Sequence, residues 1–162
     1  LALHKVLVET GVRQVGYVPD AGHKRLIELC QADKAMRAVV LTTEEEGLGL
    51  VMGAWLGGDR SAVPMQSSGV GNVINTLGTI KECRFPLLML ISYRGDFGER
   101  DPWQTEGGGV TEDVLRALRI PFSSLDRADQ VAPRIADAQT LALSANKPVA
   151  LLLCRDLMWE EA

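Results

Sequence analysis

Short runs of apolar residues alternate along this chain with longer segments in which apolar residues recur every three or four positions. The short runs have the length and composition of buried β-strands, and they lie at 15–20, 37–42, 61–67, 86–93 and 148–154. Helical spacing predicts helices at 3–11, 23–33, 42–58, 71–83, 110–120 and 128–145. The short segment 121–125 leaves the number of strands at five or six.

Strands that alternate with helices of ten or more residues are typical of a parallel sheet covered on both faces. We therefore predict an α/β fold, a doubly wound, mostly parallel sheet, formed by a single domain over residues 1–162. Pro64 lacks the N–H that a central strand uses, so its run is expected at an edge or an irregular position. Ligand sites in such sheets lie beyond the carboxyl ends of the strands. These ends are the polar stretches 18–23, 41–46, 65–72 and 91–100.

Composition narrows the class of protein without identifying a function. Hydrophobic residues make up 46% of the chain and charged residues 23%, as in ordinary globular proteins. The net charge of -4 offers no electrostatic reason to bind nucleic acid or an anionic membrane. Cys30, Cys83 and Cys154 have neither zinc-site nor disulfide spacing, so we expect buried free thiols. No run resembles a signal peptide or a membrane span, and we expect a cytoplasmic protein.

Three consecutive glutamates, at positions 44 to 46, open the apolar part of the segment 42–58. Thr43 and Glu46 have the spacing of a capping box, in which both side chains satisfy free amides of the first helical turn. Acidic residues in that turn are also stabilised by the helix dipole, by about 0.3 to 1 kcal/mol each. On this interpretation all three glutamates serve only to start a helix.

Helical periodicity favours a different interpretation for Glu44. On a helix it shares one face with Leu48, Val51 and Trp55, so it continues an apolar stripe. A carboxylate on that stripe would enter the interior and need a hydrogen-bonding partner there. Because the helix is apolar almost all round, periodicity leaves both interpretations open.

Two other strand ends carry residues suited to binding a ligand. The stretch 66–72 has the sequence QSSGVGN and begins a helix, whose free backbone amides could bind an anion or a polar ring. Alternatively, this stretch is only a tightly packed turn without a ligand. The segment 94–109 is longer than a structural connection needs, and its Arg94 and Arg100 suit a carboxylate, sulfonate or phosphonate. Charges that simply face solvent are the alternative. His23 lies at a predicted strand-to-helix turn. Neither a metal site nor a Ser-His-Asp set can be assembled.

Four stretches, taken in order, resemble the pyrimidine-binding domain of thiamine-diphosphate-dependent decarboxylases. They are GYVPDAGHKRLIEL from residue 16, VLTTEEEGLGLVMGAWLGG from residue 40, MQSSGVGNVINTL from residue 65 and FPLLMLISYRGDFGERDPWQ from residue 85. Within that family they are similar in particular to the alpha subunits of sulfopyruvate decarboxylases and next to the matching half of phosphonopyruvate decarboxylases. The resemblance extends over residues 2–155 and implies the thiamine-diphosphate-binding fold.

The resemblance implies a catalytic role for Glu44. In that family a glutamate after the second strand hydrogen-bonds N1′ of the cofactor's aminopyrimidine ring. It promotes the tautomer that removes the proton from C2 of the thiazolium. Gly49 and Gly53 match the glycines that follow this glutamate in the family when Glu44 takes its place. The resemblance thus selects the residue that helical periodicity also favours.

The resemblance also implies which residues surround the cofactor and the substrate. The expected cofactor contacts, besides Glu44, are Pro19, Gly22, Ser67, Ser68, Gly69 and Asn72. The residues expected to meet the acidic end of the substrate are His23, Gln66 and Arg94. Many relatives have proline where Val70 stands in this chain, which leaves the detailed contacts of this stretch open.

One motif of that family is missing from the chain. Relatives hold Mg²⁺ and the diphosphate with a Gly-Asp-Gly motif and a later asparagine. Here the segment 57–61 has the sequence GGDRS and no suitable asparagine follows. The resemblance therefore implies that a separate beta subunit holds Mg²⁺ and the diphosphate, and that this chain binds no metal and is inactive alone. A piece cut from a longer protein would look the same and is the alternative.

The function implied by the resemblance is a non-oxidative decarboxylation of a 2-oxo acid. The first expectation is conversion of 3-sulfopyruvate to sulfoacetaldehyde and CO2, and phosphonopyruvate or another anionic 2-oxo acid is the alternative substrate. The residues alone leave open a second class of protein, a non-catalytic α/β module that binds a nucleotide or a partner protein.

Overall fold

The computed structural model describes residues 2–158, which form six β-strands and nine α-helices. The strands are β1 (Val12–Tyr17), β2 (Arg37–Val40), β3 (Arg60–Gln66), β4 (Leu87–Ser92), β5 (Phe122–Leu125) and β6 (Pro148–Leu153). The helices are α1 (Ala2–Glu9), α2 (Lys24–Ala32), α3 (Glu44–Leu56), α4 (Ser67–Asn72), α5 (Ile74–Glu82), α6 (Trp103–Gly109), α7 (Thr111–Ala117), α8 (Ala128–Ala145) and α9 (Arg155–Met158). None of these helices is both long enough and apolar enough to cross a membrane.

All six strands pair in parallel in one sheet, in the order β2-β1-β3-β4-β6-β5. The chain moves outward from β1 to β2 and then returns to place β3 on the other side of β1. Such a reversal of strand order opens a crevice beyond the carboxyl ends of β1 and β3. The predicted doubly wound α/β fold is confirmed, with the higher of the two predicted strand numbers.

Two separate apolar cores cover the faces of the sheet. One core is formed with α1, α2 and α8, and the other with α3, α4, α5 and α7. Successive residues of β4 enter opposite cores, so that Leu88 and Leu90 belong to the first while Met89 and Ile91 belong to the second. All residues of β4 and β6 are buried, as expected for strands shielded on both faces.

Most of the predicted elements are present, with some changes in their ends and surroundings. The helix predicted at 128–145 has these bounds in the structure, although Pro133 lies inside it. The run predicted as a buried strand at 37–42 is instead the edge strand β2, in which Val40 is 63% exposed. Apolar composition did not reveal this, because the position of a strand in a sheet depends on its neighbours.

Pro64 lies in a central strand, contrary to the prediction of an edge or irregular position. β3 is flanked by β1 and β4, and Pro64 is aligned with Leu90 of β4. The pairing of β3 with β1 ends at Ala62. The missing N–H of Pro64 therefore interrupts no ladder hydrogen bond to β1, and the strand accommodates the proline.

Two predicted segments are divided differently in the structure. The helix predicted at 71–83 begins earlier as α4 and continues as α5 after a break at Val73. The predicted loop 94–109 contains α6, whose three consecutive glycines have low helix propensity. Tertiary packing overrides that propensity, because Gly108 lies so close to Arg94 that an added Cβ would overlap the carbonyl oxygen of Arg94.

The three cysteines are unpaired, but they differ in exposure. Cys30 is buried, Cys154 is half-buried and Cys83 is exposed. The expectation of buried thiols is wrong for Cys83, because this residue lies at the surface where α5 ends. Burial raises the pKa of the Cys30 thiol to about 11, which keeps it protonated at neutral pH.

Candidate functional site

The residues singled out in the sequence converge at the carboxyl edge of the sheet. The stretch 19–23 follows β1, Glu44 begins α3 after β2, the stretch 66–72 ends β3 and forms α4, and Arg94 follows β4. Parallel strands end at the same edge of a sheet, and the reversal of strand order lies between β1 and β3. These segments therefore surround the crevice where ligands bind in folds of this kind.

Glu44 is the buried carboxylate of this edge, with 7% of its surface exposed. Its Oε2 accepts a hydrogen bond of 2.9 Å from Nδ2 of Asn72, the last residue of α4. The side chain lies directly over Gly69, where an added Cβ would be 2.6 Å from Oε1 and 2.7 Å from Cγ. Glu44, Gly69 and Asn72 thus form one cluster, in which the glutamate is buried as its helical face indicated.

The other two glutamates of the run are exposed, and the predicted capping box is only half formed. Thr43 makes no side-chain hydrogen bond to the start of α3. The side chain of Glu46 reaches past Thr43, and its Oε2 accepts the backbone N–H of Thr42 at 2.6 Å. Glu46 therefore helps to cap the N-terminus of α3. The prediction that the Thr43 side chain also caps it is wrong.

The apolar face that carries Glu44 enters the core only in the first half of α3. Leu48 and Val51 are buried, whereas Trp55 is 37% exposed, so the stripe ends one turn earlier than predicted. Gly49 and Gly53 are exposed on the same helix, and a Cβ added to either would meet no described atom within 4 Å. Packing within residues 2–158 therefore does not require glycine at these two positions.

A chain of hydrogen bonds ties the ends of three strands together. Oγ of Ser67 donates to the carbonyl of Ser92 at 3.0 Å and accepts the N–H of Arg94 at 2.9 Å. The hydroxyl of Ser92 donates to Oδ2 of Asp20 at 2.6 Å. Sequence reasoning did not identify Asp20, because its partner Ser92 lies 72 positions further along the chain. These bonds fix the ends of β1, β3 and β4 relative to one another.

The remaining residues predicted at the site occupy different surroundings at the same edge. Pro19 and Ser68 are exposed, and Gln66 is half-buried with its Oε1 accepting the hydroxyl of Ser68 at 2.9 Å. Gly22 packs closely against β4, since an added Cβ would lie 2.8 Å from Cβ of Ser92. The roles of these residues in binding a cofactor or substrate remain predictions.

His23 lies beneath the edge rather than at its surface, with 1% of its surface exposed. Neither of its ring nitrogens has a hydrogen-bond partner among the described residues. Burial lowers the pKa of His23, against the opposing effects of the Asp20 carboxylate and of the backbone of Met65 and Leu90. The imidazole is therefore neutral at pH 7, and a ligand would reach it only if the surrounding residues moved.

Arg94 is paired with carboxylates of its own loop. Its Nε and Nη2 donate to the two carboxylate oxygens of Glu99 at 2.8 and 2.9 Å, and Nη2 also donates to Asp101. The hydrogen bonds from Arg94, supported by the backbone N–H of Gly95, hold the pKa of Glu99 well below its usual range. Arg94 thus organises the loop between β4 and α6, and its part in meeting a substrate stays a prediction.

A cavity of about 180 Å³ lies beside this loop. It is lined by Tyr93, Arg94, Asp96, Glu99, Arg100, Asp101, Arg155 and Met158. Met158 places the cavity next to Gly22, since its Sδ would be 3.0 Å from a Cβ at that position. Within residues 2–158, Arg100 and Arg155 form no ion pair, and no three His, Cys, Asp or Glu side chains are grouped as a metal site.

Curated relatives are similar to the chain over nearly its whole length. The sulfopyruvate decarboxylase subunit alpha of Methanococcus maripaludis is 38% identical over 98% of this chain and 95% of its own length. The subunit alpha of Methanocaldococcus jannaschii is 34% identical over 99% of this chain and 95% of its own length. The phosphonopyruvate decarboxylase of Streptomyces viridochromogenes is 30% identical over 96% of this chain, which corresponds to 40% of that protein. The resemblance predicted from the four sequence motifs is confirmed.

A solved structure shares the fold. The chain is similar to 2-oxoglutarate:ferredoxin oxidoreductase from Magnetococcus marinus with a TM-score of 0.76, covering 98% of this chain and 29% of that chain. Because the two are 15% identical, this likeness bears on the fold alone. No protein-family model matches the chain.

Gly69→Ala is expected to displace the Glu44 side chain, because the new Cβ would lie 2.6 to 2.7 Å from its Oε1, Cδ and Cγ. Loss of the hydrogen bond from Asn72 should then lower the free energy of unfolding by about 1 to 3 kcal/mol. Gly71→Ala is the matched control, since a Cβ in this position of α4 meets open space and should be neutral or stabilise by up to about 1 kcal/mol.

Urea unfolding measures both variants, and the Asn72 side-chain amide signal in ¹H–¹⁵N NMR spectra reports the contact. An amide signal left unchanged by Gly69→Ala would contradict the described geometry.

Stability should fall as the pH drops below about 6.5, the ordinary pKa of histidine, because His23 is held neutral. Its folded pKa lies below the unfolded value, so the unfolded chain binds the proton more readily and the folded state loses stability in acid. The slope for one proton should not exceed about 1.4 kcal/mol per pH unit. Urea titrations at several pH values measure it.

His23→Gln should remove this fall between about pH 6.5 and 5. His4→Gln is the comparison variant: it removes the contact of His4 Nε2 with Asp33 at 3.1 Å but leaves His23 in place, so the fall should remain. An equal slope in both variants would show that another group causes the fall.

Proposed function

Because this chain belongs to the family of sulfopyruvate decarboxylase alpha subunits, we propose that it is the alpha subunit of a thiamine-diphosphate-dependent decarboxylase. The proposed reaction converts 3-sulfopyruvate to sulfoacetaldehyde and CO2. One observation carries the proposal: the carboxylate of Glu44 is buried beside the reversal of strand order, with no cation paired to it among the described residues. Burial of such a group is costly, which favours a functional reason for it.

Two features around Glu44 support the proposed contact with the aminopyrimidine ring of that cofactor. One carboxylate oxygen, Oε2, is held by Asn72, and no donor among residues 2–158 reaches Oε1. Because Gly69 has no side chain, the carboxylate of Glu44 occupies the space beside it. Oε1 is therefore able to share a proton with a ring nitrogen, and the low exposure of the site strengthens such a hydrogen bond.

The proposed mechanism assigns this chain two tasks, proton sharing and orientation. Thiamine diphosphate, when bound, supplies the carbon nucleophile and accepts the electron pair that loss of CO2 leaves behind. Glu44 shares a proton between Oε1 and the ring nitrogen, and it does so more effectively than a carboxylate in water because water competes less for the bond. The linked strand ends at Ser67, Ser92 and Asp20 keep the surrounding surface in place.

A separate beta subunit is proposed to hold the diphosphate and Mg²⁺. The relatives named subunit alpha are similar to this chain over 95% of their own length, which supports a division of the enzyme into two subunits. The segment 57–61 leads from the end of α3 into the start of β3. It lies at the amino edge of the sheet, opposite to Glu44, and cannot place a metal beside that carboxylate.

The proposed substrate is an anionic 2-oxo acid. The cavity beside Arg94 is also lined by Arg100 and Arg155, whose guanidinium groups suit a sulfonate or phosphonate. Gln66 and Arg94 stay candidates for the acidic end of the substrate, and His23 could act only from beneath the site. Three relatives that are 33 to 38% identical over 94 to 99% of this chain are sulfopyruvate decarboxylase alpha subunits, which favours 3-sulfopyruvate over phosphonopyruvate.

Glu44→Gln tests the proposed task of the carboxylate. With the beta subunit, thiamine diphosphate and Mg²⁺ present, CO2 release from 3-sulfopyruvate should slow by about 100-fold or more, the usual contribution of a positioned acid or base. Glu45→Gln is the matched control, since Glu45 is the next residue of α3 and is exposed, and its rate should be unchanged. Equal rates in the two variants would reject the proposed task of Glu44.

A comparison of substrates tests the second part of the proposal. The assembled subunits should show the highest kcat/KM with 3-sulfopyruvate, a lower value with phosphonopyruvate and the lowest with pyruvate. Pyruvate lacks the second anionic group that the arginines beside the site would meet. Titration calorimetry measures cofactor binding in the same preparation, and no binding of thiamine diphosphate by the assembled subunits would favour the non-catalytic module instead.

A further inference from the structure

We propose that Asn72 is a positioning residue for Glu44 rather than a contact of the cofactor, an inference that rests on the proposed function. The sequence motifs led us to expect Asn72 against the cofactor. In the structure its Nδ2 instead donates to Oε2 of Glu44 at 2.9 Å, across 28 positions of the chain. With Gly69 beneath the carboxylate, this donor defines where the glutamate side chain lies.

The backbone of Asn72 is held in place, although the residue itself is exposed. It is the last residue of α4, and Val70 and Val73 on either side of it are buried in the core. At the start of the same helix, Ser67 is bound to the end of β4 by two hydrogen bonds. α4 cannot rotate or slide without breaking contacts at both ends, so the amide is presented to Glu44 from a fixed helix.

A neutral amide suits this position chemically. A lysine or arginine would hold the carboxylate of Glu44 as an anion, and an acidic residue would repel it or compete for its proton. The amide N–H donates to one oxygen and cannot take a proton from a carboxyl group. Without this donor, the glutamate side chain at the start of α3 could turn outward to water, which is the arrangement that side-chain entropy favours.

A direct contact between Asn72 and the cofactor is the competing explanation, and a double-mutant cycle separates the two. If Asn72 acts through Glu44, its removal has no further effect once the glutamate side chain is absent. If it contacts the cofactor itself, the two losses in affinity multiply. The cycle therefore compares Asn72→Ala, Glu44→Ala and the double variant with the unaltered protein.

The cycle is measured on the alpha subunit assembled with its beta subunit, by titration calorimetry with thiamine diphosphate and Mg²⁺. Asn72→Ala and Glu44→Ala should each weaken binding by about tenfold or more, as expected for loss of a hydrogen bond to a charged group. The double variant should bind as Glu44→Ala does. Asn75→Ala, an exposed asparagine in α5, is the matched control and should leave the affinity unchanged. Multiplied losses in the double variant would overturn the positioning role.

A second measurement needs no cofactor. In ¹H–¹⁵N spectra of the alpha subunit, the side-chain amide signals of Asn72 should move in Glu44→Ala, whereas those of Asn75 should not. This readout also shows whether each variant is folded. Asn72 signals that do not respond to Glu44→Ala would overturn the inference.

The outcomes distinguish this inference from the proposed function. Unchanged affinity and unchanged decarboxylation in Glu44→Ala would overturn the proposed function and the inference with it. Weak binding in Glu44→Ala together with full affinity in Asn72→Ala would overturn the positioning role alone. Asn72→Asp should bind no better than Asn72→Ala, because an ionised carboxylate cannot donate and repels Glu44. Full affinity in Asn72→Asp would also overturn the positioning role.

Discussion

A carboxylate can lie inside a protein only where hydrogen bonds replace the water it loses, and at Glu44 that replacement comes from a second helix. Asn72 at the end of α4 supplies the donor, and Gly69 one turn earlier supplies the space. α4 must therefore pass close to the beginning of α3, and a side chain at Gly69 would prevent this approach. The requirement for glycine at position 69 of α4 thus follows from the position of Glu44 in α3.

The parallel sheet brings these helices together. α3 precedes β3 and α4 follows it, so both contact the same face of the sheet around that strand. The hydrogen bonds from Ser67 to Ser92 and from Ser92 to Asp20 join the ends of β3, β4 and β1. The site is therefore built on strand ends that are fixed to one another, and a fixed arrangement of this kind is what the proposed role of Glu44 would need.

Within residues 2–158, no Lys or Arg near the carboxyl edge of the sheet forms an ion pair with Glu44. Arg94 is held by Glu99 and Asp101 of its own loop. Arg100 and Arg155 line a cavity that Met158 also lines, next to Gly22. Glu44 is not among the residues that line this cavity, so the proposed acid-base group and the proposed anion-binding groups occupy separate places.

Local spacing in the sequence determined the alternation of strands and helices and the bounds of α8, because each depends on residues close together in the chain. It favoured Glu44 over its neighbours, and the family resemblance selected it. Only the tertiary structure decided that Pro64 lies in a central strand and that Val40 lies on an exposed edge, since strand order is set by neighbours far away in sequence. In the same way, the motifs predict Asn72 at the site, but its contact with Glu44 depends on how two helices distant in sequence pack against one sheet.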